Sequence, residues 1–276
     1  MLKKLFSVLF FIFPVVFLCS CNASGITRSV ISDFAEAVDS NRKQIQVVPF
    51  EKTAEEQTTV TECITTEVTD FLVPNSFQID VPVLYQEPEL PTGCEITSLT
   101  MLLNYLGFDV SKTTMAYDYL TKDYKGDVGF DEAFIGSPDS YGGYGCFAPV
   151  IKEAANKYLA ANAEDYLASN ITGTDMEGLY EYVAKGFPVV AWCSMELMDV
   201  YYRFVFTDAK GNDVYWYDNE HCVLLCGYSK ENKTVTVADP MYGMMTYYAP
   251  RFEEIYNQLG KQAVIIEKIK ESDVTS

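Results

Sequence analysis

Histidine is almost absent from this sequence, which has His221 as its one histidine among 276 residues. A reaction that needs an imidazole group therefore depends on that single position. The sequence contains no Gly-x-x-x-x-Gly-Lys-[Ser/Thr] segment, which argues against the phosphate-binding loop of an ATPase. It also has no repeated Cys-x-x-Cys or Cys/His spacing of the kind that binds structural zinc. We therefore expect neither a metal site nor a cofactor.

Basic residues are scarce as well, with 20 Lys and Arg against 39 Asp and Glu and a formal net charge of −19. Nucleic-acid binding is disfavoured by this balance, because phosphates require Lys and Arg. Electrostatic adhesion to anionic lipid is disfavoured for the same reason. Apolar residues make up 49% of the chain and aromatic residues 14%, which is enough for one full-sized hydrophobic core.

The N-terminal apolar run, residues 5–18, is too short for a typical membrane-spanning helix. It follows Lys3 and Lys4, as the hydrophobic region of a signal peptide does. Its end, Leu18-Cys19-Ser20-Cys21, resembles the lipobox of bacterial lipoproteins. That resemblance implies a signal peptide over residues 1–20 and lipidation at Cys21, with the protein anchored to the outer face of the bacterial cytoplasmic membrane. An ordinary signal peptide is the alternative, and both interpretations predict export.

Between Cys21 and the predicted domain, residues 51–70 are dense in Thr and Glu and contain few large apolar side chains. We therefore expect residues 21–76 to form a flexible tether, with an inhibitory pro-segment as the alternative. Residues 77–270 are predicted to form the folded domain and residues 271–276 a tail. Six cysteines follow Cys21, and we expect most of them to be buried free thiols.

Hydrophobic periodicity predicts an α+β domain in which helices come first and strands later. An edge strand is expected at 79–83, where Pro82 lacks an N–H group. Residues 126–145 are expected to form a long loop. The predicted helices begin near Cys94, Met115, Pro149 and Asp175. Further strands are predicted at 188–194, 221–228, 234–239, near Tyr247 and at 263–269.

Two positions suggest nucleophilic catalysis. Cys94 follows Gly93 at the predicted start of a helix, where free N–H groups and the helix dipole favour a thiolate. His221 opens a predicted strand and has the ring that a thiol needs as its base. The alternatives are a buried cysteine inside a helix and a histidine without a catalytic role.

Two further positions would complete such a site. Asp239 lies 239 − 221 = 18 residues after His221, and pairing of the two strands as a hairpin would place its carboxylate beside the ring. Gln86 lies eight residues before Cys94, where its side-chain amide and the Cys94 N–H could together hold an oxyanion. The alternatives are an Asp-Pro turn and a surface Gln.

The order Gln, Cys, His, Asp matches that of papain-like enzymes, and the gap from Cys94 to His221 is 221 − 94 = 127 residues. The segments Val81-Pro82-Val83-Leu84-Tyr85-Gln86, Gly93-Cys94-Glu95-Ile96-Thr97-Ser98-Leu99, His221-Cys222-Val223-Leu224-Leu225-Cys226-Gly227-Tyr228 and Val237-Ala238-Asp239-Pro240 resemble the C39-like peptidase family. The resemblance implies a papain-like cysteine peptidase fold, with an N-terminal nucleophile helix packed on an antiparallel sheet.

The same resemblance implies that Cys94 is the nucleophile and His221 the general base and then acid. It also implies that Asp239 orients His221, that Gln86 donates to the oxyanion, and that the substrate is a peptide or another amide. Two alternatives remain open, an acyltransferase using the same triad and an inactive papain-like binding or surface protein. The aromatic residues near the site are expected either to line a substrate groove or to pack in the core, and they are Tyr141, Tyr144, Tyr215, Trp216 and Tyr217.

Overall fold

The computed structural model describes residues 71–269 of the chain. The predicted signal peptide, Cys21, Cys63, most of the predicted tether and the 271–276 tail lie outside the described residues. The predictions made for those segments therefore stay predictions. Within the described range, no helix is both long enough and apolar enough to cross a lipid bilayer.

An antiparallel sheet of seven strands forms the centre of the described structure. These strands are β1 (Ser76–Gln78), β4 (Tyr166–Asn170), β5 (Val189–Ser194), β8 (Glu220–Ser229), β9 (Thr234–Asp239), β10 (Gly243–Tyr248) and β11 (Ala263–Lys268). Their order in the sheet is β10-β9-β8-β5-β11-β4, and the short strand β1 pairs with β8. Strand β5 is buried along its whole length and β8 along nearly all of it. Both therefore have nearly continuous apolar sequences rather than alternating ones.

Five α-helices accompany the sheet, and they are α1 (Cys94–Tyr105), α2 (Lys112–Thr114), α3 (Ala148–Asn162), α4 (Met176–Ala184) and α5 (Ala249–Gln258). A π-helical turn, Met115–Tyr119, continues directly from α2. Helix α1 packs against β8 and β5. The buried Ser98 hydroxyl donates to the Cys222 carbonyl at 3.0 Å, which ties α1 to β8. This contact fixes the start of α1 near the start of β8.

Two small sheets lie outside the central one. Strands β2 (Lys122–Asp123) and β3 (Phe134–Ile135) pair in parallel, and β6 (Tyr202–Thr207) and β7 (Asp213–Tyr217) form an antiparallel hairpin. The hairpin has its own apolar cluster, in which Trp216 stacks on Phe130 at 4.2 Å between ring centroids. This contact packs the β6–β7 hairpin against the loop that precedes α3.

The α+β prediction and most predicted elements are confirmed. Helix α1 ends just before Gly107, whose φ of +94° suits a glycine. Asp175 caps α4 by accepting the Gly178 N–H at 2.9 Å, and Pro149 lies in the first turn of α3. The helix predicted near Met115 is present as the π-helical turn.

The edge strand predicted at 79–83 is wrong, because the strand is β1, which ends at Gln78. Ile79 makes one further bond to β8, from its N–H to the Cys226 carbonyl, and the chain then leaves the sheet. Ile79 and Val81 are nevertheless buried. The alternation of apolar and polar residues at 79–83 therefore indicated burial of the apolar side chains and not strand pairing. Several elements were not predicted, and they are β2, β3, β4, β6, β7 and α5.

Candidate active site

Cys94 is the first residue of α1, where the sequence placed it. Gly93 precedes it, and a Cβ atom at Gly93 would lie 2.8 Å from the Leu90 Cβ atom. The turn before α1 therefore has no room for a side chain at this position. Cys94 is buried, with 6% of its surface exposed, and its thiol lines a cavity of about 370 Å³.

His221 and Asp239 come together through the pairing of β8 with β9. His221 is the second residue of β8 and Asp239 the last of β9, and the His221 Nε2 atom lies 2.9 Å from Asp239 Oδ1. The backbone N–H groups of Met241 and Tyr242 also donate to Oδ1, and the Tyr247 hydroxyl donates to Oδ2. Both oxygens of the Asp239 carboxylate therefore accept hydrogen bonds, and Oδ1 is the one that contacts the His221 ring.

The same contacts set the charge state of Asp239. Burial has the largest single effect and raises the pKa of its carboxyl group. The hydrogen bond and charge of His221 and the hydrogen bonds from the Met241 and Tyr242 N–H groups together outweigh burial. The pKa of Asp239 is lowered from its usual value. An ionised Asp239 accepts the proton on Nε2, so the neutral ring has its acceptor at Nδ1.

The Nδ1 atom of His221 is buried and has no hydrogen-bond partner among the described residues. His221 lines the same cavity as Cys94. A histidine with one nitrogen fixed by a carboxylate and the other free in a cavity can act as a base on the groups there. The strand pairing predicted from the sequence produces this arrangement.

Gln86 also lines the cavity, and its Nε2 atom donates to the Pro91 carbonyl at 2.8 Å. Its own backbone N–H donates to the Pro240 carbonyl, which links the Gln86 loop to the end of β9. A primary amide has two N–H groups, so one remains for a bound oxyanion. Gln86 is 4% exposed rather than at the surface.

Three of the five aromatic residues singled out from the sequence line the cavity, and they are Tyr141, Tyr144 and Trp216. Tyr215 is exposed on the hairpin and Tyr217 is half-buried. Arg203 also lines the cavity, where it pairs with Asp218 at 2.8 Å and lies over the Tyr144 ring. The hairpin of β6 and β7 therefore supplies one wall of the cavity.

Two buried carboxyl groups beside Cys94 were missed by the sequence reasoning. The Cys94 thiol donates to Glu95 Oε2 at 3.3 Å, and Glu220 Oε2 lies 4.0 Å from the same sulfur. Glu95 is fully buried and Glu220 is 5% exposed. Each immediately neighbours a predicted catalytic residue in the sequence, which was the signal available for finding them.

These carboxyl groups reverse the expected effect of the helix N-terminus on Cys94. Burial raises the pKa of the Cys94 thiol well above its usual range, and the charges of Glu220 and Glu95 raise it further. The surroundings of Cys94 therefore favour the thiol over the thiolate that the helix start predicts. Burial also raises the pKa of Glu95 to about 7, against hydrogen bonds from backbone N–H groups, one of them that of Cys146, and from the Cys94 thiol.

Comparison with known proteins identifies relatives across most of the described range. Residues 78–264 match the model of the Peptidase_C39 like family. The uncharacterized protein YvpB of Bacillus subtilis (strain 168) is 32% identical over 199 residues, which cover 69% of this chain and 73% of that protein. A crystal structure named as that of a C39-like peptidase from Bacillus anthracis is 31% identical, with a TM-score of 0.63, and the match covers 71% of this chain and 99% of that one. The chain therefore belongs to the Peptidase_C39 like family and has the papain-like cysteine peptidase fold.

Proposed function

We propose that this chain is a cysteine peptidase or related amide hydrolase that acts through Cys94, His221 and Asp239. The family and the fold support a cysteine peptidase. One observation supports the assignment of these three residues as the catalytic group. The ring of His221 is fixed through Nε2 by Asp239, its buried Nδ1 has no partner among the described residues, and His221 and Cys94 line the same cavity.

The reaction begins with a neutral Cys94 thiol. As sulfur attacks the substrate carbonyl, the thiol proton passes to Nδ1 of His221, and the resulting imidazolium is stabilised by Asp239. The carbonyl oxygen becomes an oxyanion, to which the Cys94 backbone N–H and the free Gln86 amide N–H donate. The imidazolium then protonates the leaving amine as the C–N bond breaks.

An acyl-enzyme remains after the amine has left, with the acyl group bonded to the Cys94 sulfur. Water attacks this thioester, His221 accepts a proton from the water, and the carboxylic acid leaves as the thiol re-forms. The substrate class is a peptide or another amide. We also propose that the enzyme works outside the cytoplasmic membrane, held there by lipid on Cys21, as the lipobox resemblance implies.

A binding or surface protein without activity is the second candidate, and one observation favours it. Burial raises the pKa of the Cys94 thiol and the two carboxyl groups within 4.0 Å of its sulfur raise it further, which opposes nucleophilic attack. The two candidates differ in whether His221 increases the reactivity of Cys94.

The test measures two properties of the full chain, cleavage of a fluorogenic peptide library and the rate at which iodoacetamide alkylates Cys94 at pH 7. We expect Cys94→Ala to abolish cleavage and His221→Ala to slow both cleavage and alkylation. The matched control is Cys226→Ala, which removes a buried thiol of β8 away from the cavity and should leave both properties unchanged. Alkylation of Cys94 at the same rate in wild type and His221→Ala, without cleavage, would establish the binding protein instead.

A further inference from the structure

Cys94, Glu95 and Glu220 form a compact set of three potential metal ligands. One donor atom from each lies within 4.8 Å of the other two, and within residues 71–269 this is the one group of three His, Cys, Asp or Glu side chains that meets that criterion. The two sulfur–oxygen distances are 3.3 and 4.0 Å. All three residues are buried, and Cys94 and Glu220 line the cavity.

A second observation at the same place points to a missing partner. Oε1 of Glu220 is buried and has no hydrogen-bond partner among the described residues, and Nδ1 of His221 is in the same condition. Both residues line the cavity with Cys94. Buried polar atoms normally have partners, because an unpaired one loses its hydration without compensation.

The charge around these carboxyl groups is also unbalanced. Among residues 71–269, no Lys or Arg forms an ion pair with Glu95 or Glu220. Buried carboxylates are usually paired or coordinate a metal.

We propose that Cys94, Glu95 and Glu220 bind a divalent metal ion of the zinc type. The bound ion coordinates the Cys94 sulfur and prevents it from reacting as a nucleophile. Zn²⁺ takes thiolate sulfur at about 2.3 Å and carboxylate oxygen at about 2.0–2.2 Å, so its tetrahedral sites have sulfur–oxygen separations of roughly 3.5 Å. The distances of 3.3 and 4.0 Å bracket that value. Small movements of the Glu95 and Glu220 side chains would bring their oxygens and the Cys94 sulfur to bonding distance from one ion.

The donor set selects among metals. Mg²⁺ and Ca²⁺ require six or more oxygen ligands, and this site offers a sulfur and two carboxylates. Zn²⁺ accepts sulfur and oxygen together in four-coordinate geometry, leaving its fourth position open to water from the cavity. On binding, the Cys94 thiol loses its proton to solvent and the carboxyl groups lose any protons they hold, so the metal replaces protons as the cation of the site.

No sequence motif indicates this site, because Cys94 and Glu220 are separated by 126 residues and their spacing fits no zinc motif. Metal binding itself does not depend on the chain being a peptidase. Only the consequence that Zn²⁺ inhibits hydrolysis rests on the proposed function. The decisive experiment therefore measures binding through alkylation and not through activity.

The experiment uses the full chain with Cys19, Cys21 and Cys63 replaced by Ser, so that these cysteines bind no metal. Iodoacetamide alkylation of Cys94 is followed by peptide mass spectrometry at increasing Zn²⁺, with Mg²⁺ as the comparison ion. We expect Zn²⁺ to slow alkylation at least about tenfold, EDTA to restore it and Mg²⁺ to have no effect. Unchanged alkylation at saturating Zn²⁺ overturns the proposal.

Two variants test the ligands. Glu220→Gln should raise the Zn²⁺ concentration for half-protection by about ten- to a hundredfold, since changes even outside a metal's direct ligands cost that much. Asp218→Asn is the matched control, because it removes the same charge from the same cavity without touching the proposed ligands, and it should leave that concentration unchanged. Equal protection of wild type and Glu220→Gln, or an equal loss in Asp218→Asn, overturns the assignment.

A measurement on the protein with both glutamates intact covers the case in which Glu220→Gln does not fold. Zinc X-ray absorption of the one-to-one complex should show one sulfur at about 2.3 Å and oxygen ligands near 2.0 Å. A zinc shell without sulfur, or with two or more sulfurs, excludes the Cys94–Glu95–Glu220 site.

Discussion

Individual residues around the cavity have opposing effects on the nucleophile. Asp239 holds His221 through Nε2 and leaves Nδ1 free, which in the proposed mechanism favours removal of the Cys94 proton. Glu95 and Glu220 favour retention of that proton, because a thiolate beside two carboxylates is repelled by both. In the proposed mechanism, the reactivity of Cys94 is therefore set by a balance between the His221–Asp239 pair and the opposing effects of burial and of the two carboxyl groups.

Gln86 offers a direct test of the oxyanion contact. Gln86→Ala should lower kcat about 10²- to 10³-fold, because one donor to the oxyanion is lost while the Cys94 N–H remains. Steady-state cleavage of the best library peptide measures this effect, and the circular dichroism spectrum checks that the fold is intact. Gln86→Ala with unchanged kcat would remove Gln86 from the proposed mechanism.

Asp239 predicts a particular dependence of stability on pH. Its folded-state pKa is lowered, so its ionised form stabilises the fold above the unfolded pKa of about 3.9, and that contribution is lost as the pH falls through the folded value. The free energy of unfolding of wild type should therefore exceed that of Asp239→Asn at pH 6, with the difference shrinking towards pH 3.

Urea unfolding at several pH values measures this difference. Asp118→Asn, at an exposed position, is the control and should differ little from wild type at any pH. A difference between wild type and Asp239→Asn that grows on acidification would contradict the assigned direction of the pKa shift.

At the scale of elements, the site depends on how α1, β8 and the β6–β7 hairpin meet. The Ser98 hydroxyl bonds α1 to β8, and Trp216 brings the hairpin over the loop before α3. Gly145 lies where these parts come closest, because a Cβ atom there would lie 2.5 Å from both Glu95 Oε1 and Trp216 Cζ2. The absence of a side chain at Gly145 therefore lets the hairpin close one wall of the cavity.

Gly145→Ala should destabilise the protein by about 1–3 kcal/mol, as overpacking of a filled interior does. Either Glu95 or Trp216 must move, so the alkylation rate of Cys94 should change as well. Chemical denaturation measures the first effect and mass spectrometry the second. Gly129→Ala is the matched control, since a Cβ at Gly129 would meet no atom within 4 Å, and an equal cost in both variants would refute the close approach.

At the scale of the whole molecule, the interior is packed with free thiols. The five cysteines among the described residues are buried and free, and they are Cys94, Cys146, Cys193, Cys222 and Cys226. Of these, Cys94 is the one that lines the cavity. The preference for buried free thiols over disulfides, made from the sequence, is confirmed for these five positions.

The packing predicts a selective labelling pattern. A small thiol reagent should modify Cys94 in the native protein and the other four only after unfolding, because their side chains are reached by solvent only when the core opens. Mass spectrometry before and after addition of denaturant gives the pattern. Native labelling of Cys146 or Cys193 at a rate similar to that of Cys94 would show a more open core than the structure has.

The α+β class, the start of α1 at Cys94 and the pairing of the strands that carry His221 and Asp239 were predictable from the amino-acid sequence. Each of these depends on side chains within about 20 neighbouring residues, where periodicity, capping and turn chemistry act. The β6–β7 hairpin and α5 escaped prediction because their burial comes from distant partners, such as Phe130 for Trp216.

The pKa shifts of the site, in contrast, depend on contacts that form only in the folded chain. Glu220 approaches the Cys94 sulfur although 126 residues separate them, and burial of the thiol, together with the charges of Glu220 and Glu95, raises its pKa where the helix start predicts a thiolate. Electrostatic energies depend on distance in space and on exclusion of water, and neither is visible in a local pattern of residues. Cys94 could therefore be singled out from the sequence as the candidate nucleophile, whereas the direction of the pKa shift of its thiol required the fold.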